Sequence, residues 1–126
     1  MKAVIAMNKL GYIGLNGSLP WKSSDDLKHF NDLIKDGTLV VGYNTFIKLP
    51  KKYKDKTVIF DNKLDITEYQ KYDWCIGGKK TYEKLCPLFD EIHISIINDE
   101  TIGDTKAPEL ILNENCKIFY YEFDVD

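Results

Sequence analysis

The chain contains no arginine; all seventeen of its basic residues are lysines. Any anion it holds must be met by backbone amides, hydroxyls and lysine point charges, because the bidentate guanidinium fork is missing. Cysteine is scarce as well. Cys75, Cys86 and Cys116 are an odd number at wide spacing with no C-x-x-C pair, a pattern that indicates neither a disulfide framework nor a zinc site and reads as buried thiols. No metal is expected. No apolar run is long enough to span a membrane, and Met1 to Met7, followed by Asn8 and Lys9, reads as a buried first strand and not as a signal peptide. Positive charge is not in surplus either. A net charge of -3 and a pI near 5.4 offer no broad basic surface for nucleic acid. The expected partner is a small molecule, the expected setting the cytoplasm, and the expected assembly a monomer, with neither nucleic acid nor membrane involved.

What remains is an ordinary folded composition, 44% hydrophobic and 29% charged over 126 residues, which sets the expectation of one domain spanning 1–126. Strands are predicted at Ala3 to Met7, Thr38 to Val41, Thr57 to Phe60, Trp74 to Ile76, Glu91 to Ile97 and Cys116 to Phe123, with a short one at Leu110 to Leu112. Helices are predicted from Ser24 to a stop at Gly37, from Asn44 to Pro50, and from Lys79 to Pro87. Lys51 to Lys56 reads as a basic, solvated turn, and Lys63 to Tyr72 as a loop with one helical turn. Strands alternating with helices mean an α/β fold: a mainly parallel, twisted sheet with helices on both faces. An antiparallel C-terminal edge is expected where strands follow one another without a helix.

One stretch stands out, I-G-L-N-G-S-L-P-W-K-S-S-D-D-L-K-H-F from Ile13 to Phe30. Gly14, Asn16, Gly17 and Ser18 favour turns, Pro20 fixes its own φ, and Ser23 with Asp26 resembles a capping box with Asp for Glu. The helical period then places Leu27, Phe30, Leu33 and Ile34 on one apolar face. Asp25 points with Lys28 and His29 toward water. Asp26 lies at the margin of the apolar face, where a charge is costly and its pKa is open to tuning, which suits it to proton work. A movable loop beside such a carboxylate reads as a lid over an acid.

Two strands also end in glycine and open directly into helices, Val41-Gly42 into Asn44 and Ile76-Gly77-Gly78 into Lys79. In sheets of this kind ligands bind at the carboxyl ends of strands, and two such turns fit a pyrophosphate better than one. There is no G-x-G-x-x-G fingerprint.

Four motifs in one order, I-G-L-N-G-S-L-P-W followed by Asp26, G-Y-N-T-F, I-G-G-K-K-T-Y and G-D-T, make the chain from Ala3 to Pro108 similar to the dihydrofolate reductases. The resemblance implies an NADPH-dependent oxidoreductase that transfers a hydride to the pterin of 7,8-dihydrofolate, giving tetrahydrofolate for one-carbon and thymidylate metabolism; the departures from the family at Tyr43 and Asp61 are what would let NADH be tolerated. It puts Asp26 in the acidic position, holding the pterin's amino and ring N–H groups, with Ser95 sharing that contact and Trp21 holding a water near the acid. Leu27 and Phe30 would form the wall around the folate, and Ile5, Ala6 and Ile76 the junction of the two rings. For the cofactor it implies Ala6, Ile13, Ser18 and Leu19 around the nicotinamide. Gly42, Tyr43, Asn44 and Thr45, and Gly77, Gly78, Lys79, Lys80, Thr81 and Tyr82, would surround the phosphates, with a cis Gly77–Gly78 peptide. Asp104, in G-D-T, would support the lid.

The departures concern anions. Tyr43 stands where the family has an arginine for the cofactor phosphates, and Asp55 falls about where it has the arginine that grips the folate's glutamate. Two other readings fit parts of the pattern: a non-catalytic module of the same fold, and a related pyrimidine or pterin reductase, against which Asp26 argues.

Overall fold

The computed structural model describes residues 1–126. Its strands are β1 Lys2–Asn8, β2 Tyr12–Gly14, β3 Leu39–Val41, β4 Thr57–Ile59, β5 Trp74–Cys75, β6 Glu91–Asn98, β7 Thr105–Lys106 and β8 Lys117–Asp124. The helices are α1 Ser24–Ile34, α2 Tyr43–Phe46, α3 Lys51–Lys54 and α4 Lys79–Leu85. Six strands form one sheet in the order β4-β3-β5-β1-β6-β8, and β2 pairs with β7 in a small antiparallel sheet beside it.

Side-chain alternation divides the core in two. Val4, Leu39, Val41, Trp74 and Ile76 meet Ile34 of α1 and Tyr53 of α3 on one face. Ala3, Ile5, Val40, Cys75 and Ile92 meet Tyr82 and Leu85 of α4 on the other. The chain therefore leaves β1 for a helix on one face and leaves β5 for a helix on the opposite face. Since β1 and β5 are neighbours, their carboxyl ends bound a crevice, the place where such sheets take ligands.

Every pairing in the large sheet is parallel, including β6 with β8 from Glu91↔Lys117 to Asn98↔Asp124. The expected antiparallel C-terminal edge is thus corrected. The long connection after β6 carries the chain back across the sheet before β8 begins. It is pinned beside the start of β6, where Asn113 donates to the Pro87 carbonyl (2.6 Å) and the Lys117 N–H to that of Asp90 (3.0 Å). Leu110 to Leu112 form no strand; Leu110 and Leu112 pack as irregular chain against the α4-side core. Nor is Lys51 to Lys56 a solvated turn. It folds into α3 because Tyr53 is buried, with Lys52 and Lys56 over its ring. Cys75 and Cys86 are buried thiols, but Cys116 is only half-buried.

Candidate active site

Helix α1 begins where its cap residue dictates. Ser23 is extended (φ -139°, ψ 109°) and its Oγ accepts the Asp26 N–H at 3.3 Å, the N-terminal half of a capping box. That start fixes the phase of the helix. Asp25 is exposed, whereas Asp26 is 7% exposed. Burial raises the Asp26 carboxyl above its ordinary range; a hydrogen bond with the Ser95 side chain and the nearby His29 pull the other way. Ser95 comes from β6, where it is paired with Ala6 of β1, so acid, hydroxyl and crevice lie together.

The loop expected to act as a lid leads into this helix. Gly14 to Ser18 forms a tight turn closed by the Leu15 N–H to Ser18 carbonyl bond (2.7 Å) and its reciprocal (3.0 Å), with Asn16 and Gly17 at φ 51° and 80°. Three contacts brace it. The Asp104 carboxylate accepts the Asn16 N–H (2.9 Å) and is held low in pKa by that bond; the Asp104 N–H donates to the Gly14 carbonyl (2.9 Å); and the Lys48 ammonium donates to the Gly17 carbonyl. Asp104 thus sits where the resemblance puts it. A Cβ on Gly103 would overlap the Gly14 oxygen, so only glycine allows the two segments to touch.

Of the expected pterin-side residues, Ala6, Trp21, Phe30, Ile76 and Ser95 gather with Asp26 on the α1 side of the sheet or in α1 and its approach. Two depart from expectation. Ile5 points to the opposite face and is packed in the α4-side core, so toward the crevice it offers only backbone. Leu27 is not part of a continuous apolar core face: it is 60% exposed and, with Leu19 (56%), leaves apolar surface bare around the acid. That is what a wall for an apolar ring requires.

The glycine turns lie side by side. The Gly42 N–H donates to the Gly77 carbonyl (2.7 Å), and the Gly77–Gly78 peptide is cis. A Cβ on Gly42 would come within 2.9 Å of Thr81 Oγ1, and one on Gly78 within 3.5 Å of Thr45 Oγ1. The two turns thus present backbone and two hydroxyls, with Tyr43, Asn44, Lys79 and Lys80 exposed after them in the chain. Ser18 is exposed at the lid and Ile13 is partly buried against the α4-side core. Tyr82 lies behind the turn and not on its surface: it is buried, its hydroxyl donates to the Val4 carbonyl (2.7 Å), and a Cβ on Gly77 would meet that hydroxyl at 3.3 Å.

Sequence reasoning missed what β8 contributes. His29, expected in water, packs at a tilt against Tyr121 (centroids 4.1 Å) and Phe123 (5.2 Å), and Tyr121 hydrogen-bonds His93 Nδ1 at 2.9 Å. The alternation Phe119, Tyr121, Phe123 was the available signal, because period-two aromatics demand a covered face.

The dihydrofolate reductase family model matches residues 1–125. The type 9 dihydrofolate reductase of Escherichia coli is 26% identical over 145 residues, covering 94% of this chain and 81% of that protein. Segregation and condensation protein A of Mycoplasma pneumoniae is 29% identical over 105 residues, covering 68% of this chain but 21% of that protein. Among solved structures, the dihydrofolate reductase from Enterococcus faecalis complexed with NADP(H) and RAB-propyl superposes with a TM-score of 0.70 at 26% identity, covering 86% of this chain and 77% of that one. With a family match over almost every residue, alongside a buried, hydroxyl-supported carboxylate and a braced glycine turn ahead of it in the chain, the chain belongs to the dihydrofolate reductase family.

Proposed function

We propose that this protein reduces 7,8-dihydrofolate to 5,6,7,8-tetrahydrofolate with NADPH as donor, acting as a monomer in the cytoplasm. The observation that carries the reading is Asp26, a carboxylate buried in the crevice beside Ser95 and preceded in the chain by a loop anchored by Asp104.

The residues present fit the cofactor. Gly42 and Gly77 are held free of side chains by Thr81 and Tyr82, which a Cβ would meet at 2.9 and 3.3 Å, and the Thr45 and Thr81 hydroxyls lie beside the two turns, so backbone and hydroxyls of Gly42 to Thr45 and Gly78 to Thr81 would hold the phosphates. Lys79 or Lys80 would supply the cation at the start of α4. Ala6, Ile13, Ser18 and Leu19 would flank the nicotinamide. When bound, NADPH supplies the hydride.

The chain's own residues do the rest. Ionised Asp26 accepts hydrogen bonds from the pterin's amino and ring N–H groups, and Ser95 shares that contact. Reduction of the ring's C=N bond places a hydride on carbon and requires a proton on nitrogen. A negative charge at the pterin edge raises the basicity of that nitrogen, so the proton is present when the hydride arrives. Burial of Asp26 strengthens the effect, because little solvent lies between the charge and the ring. Leu27, Phe30 and Ile76 hold the ring in place, and the Gly14 to Leu19 lid with Trp21 limits water.

A second reading is a non-catalytic module of the same fold. It is favoured by one observation: two thirds of this chain aligns with about a fifth of a much longer protein named for segregation and condensation. Purified protein mixed with NADPH and dihydrofolate separates the two. Loss of nicotinamide absorbance that depends on dihydrofolate supports the reductase; binding of either compound without turnover supports the module.

A further inference from the structure

Because β8 runs parallel to its neighbours, it brings its carboxyl end to the edge of the sheet where the crevice lies. Residues 124 to 126 then cross the first turn of α1. The Ser23 hydroxyl donates to the Asp124 carbonyl (2.7 Å) while accepting the Asp26 N–H (3.3 Å). The Ser24 N–H and hydroxyl both donate to the Asp126 carboxylate (2.8 and 2.7 Å), and the Asp126 N–H donates to the Lys22 carbonyl (2.8 Å). Asn98 holds the strand end in turn, donating to Asp124 Oδ1 at 3.0 Å.

These contacts act on the turn that carries the acid. The Ser23–Asp26 bond is long for a cap, so besides the burial of Trp21 and Ser23 the first turn depends on what else meets its free N–H groups. The Asp126 carboxylate supplies two short charge-assisted bonds and a negative charge at the positive end of the helix. Its own proton affinity is lowered chiefly by the Ser24 N–H and then the Ser24 hydroxyl, which agrees with the geometry. Below it, Tyr121 and Phe123 cover the next turn at His29.

We propose that residues 124 to 126 form a clasp on α1 and that Asp126 is a positioning residue, holding the first helical turn so that the Asp26 carboxylate stays buried against Ser95. This rests on the reading of Asp26 as the working acid. Loosening the clasp lets water reach Asp26, moves its titration down toward an ordinary carboxylate, and weakens its influence on the pterin.

The experiment titrates the Asp26 carboxyl by carbon NMR in the ligand-free protein, alongside steady-state kinetics, for wild type, Asp126→Ala, Asp126→Glu and Ser24→Ala. Asp126→Ala is expected to shift the Asp26 midpoint downward and to lower kcat roughly three- to tenfold, with KM for NADPH unchanged. Ser24→Ala, which removes one donor, should shift both in the same direction by less, and Asp126→Glu should restore most of the loss. If Asp126→Ala does not fold, Ser24→Ala carries the test alone. An Asp26 midpoint unmoved in every folded variant overturns the proposal, as does a loss of thermal stability with kcat and the Asp26 titration intact. A midpoint that moves in a protein without reductase activity would keep the clasp and reject the reductase reading.

Discussion

Replacing the Asp26 carboxylate by its amide isostere separates what the residue does for the fold from what it does for the reaction. Asp26→Asn keeps the size of the side chain and an oxygen to accept from Ser95, and removes only the charge. Burial holds the folded-state pKa above the ordinary 3.8, so between those two values the folded protein binds more protons than the unfolded chain. Stability therefore falls as pH rises through that window and stays reduced above it. At neutral pH the wild type carries the cost of a partly desolvated charge that the amide variant does not. Two effects shrink that gain: solvent still screens the carboxylate, leaving a scale of about 0.5–1 kcal/mol, and a charge in the first helical turn is worth about 0.3–1 kcal/mol against the dipole. The expected net change at pH 7 therefore lies within about −0.5 to +0.7 kcal/mol, positive in favour of Asp26→Asn, vanishing below the ordinary carboxylate range where both chains are uncharged at this position. Turnover at pH 7 should drop on the order of a hundredfold to ten-thousandfold. Thermal unfolding across pH and initial rates of nicotinamide oxidation measure both. Exposed Asp25→Asn should leave turnover unchanged and cost no more than the same dipole contribution, about 0.3–1 kcal/mol. The reasoning fails if Asp26→Asn is less stable at pH 7 by well over 1 kcal/mol and recovers as pH falls, since that would mark the carboxylate as ionised and stabilising.

The glutamate tail of the substrate should matter little, because Lys56 is spent on the Ile34 and Lys35 carbonyls at the end of α1 (2.8 and 2.6 Å), Lys48 on the lid, Lys52 on the Tyr53 ring and Lys54 on the Ile47 carbonyl and the Phe46 ring, which leaves Lys51 as the mobile charge of this group. Michaelis constants for dihydrofolate and a tail-less dihydropterin should differ by about 1–3 kcal/mol at most, and a gap far beyond a hundredfold would reveal an unrecognised clamp. Preference for NADPH over NADH should be modest, roughly tenfold to a hundredfold; Lys80→Ala should narrow it while sparing NADH use, and an unaltered preference of many thousandfold would place the 2′-phosphate elsewhere. Gly103→Ala must push the Gly14 carbonyl away, costing on the order of 1–3 kcal/mol and slowing turnover by loosening the lid; an unchanged rate and melting temperature would deny that contact any importance.

The burial of Asp26 was legible because local rules converge on it: a capping serine sets where α1 starts, and the helical period then separates Asp26 from exposed Asp25. The glycine turns were legible for a similar reason, since a strand that ends in glycine and opens into a helix is a local pattern. Direction was not. Alternating Phe119, Tyr121 and Phe123 announce a strand with one covered face, but nothing local states whether it runs with β6 or against it, and the answer decides whether the strand end reaches α1. His29 was misjudged for the same cause, its flank being covered by a strand from the far end of the chain, a contact of high sequence separation that no local rule reports. Ile5 and Tyr82 face the core although their neighbours face the crevice, a matter of sheet alternation and of the Val4 carbonyl needing a donor. The β2–β7 pair is too short for periodicity to show.

The most direct test of carboxylate-assisted reduction is a single-turnover reaction of enzyme with dihydrofolate and NADPH deuterated at its transferable position, for wild type and Asp26→Asn, with the product examined by mass spectrometry. Tetrahydrofolate carrying one deuterium from wild type, formed far more slowly by Asp26→Asn at neutral pH, is the expected result. Unlabelled product or none from wild type, or equal rates from the two proteins, would contradict it.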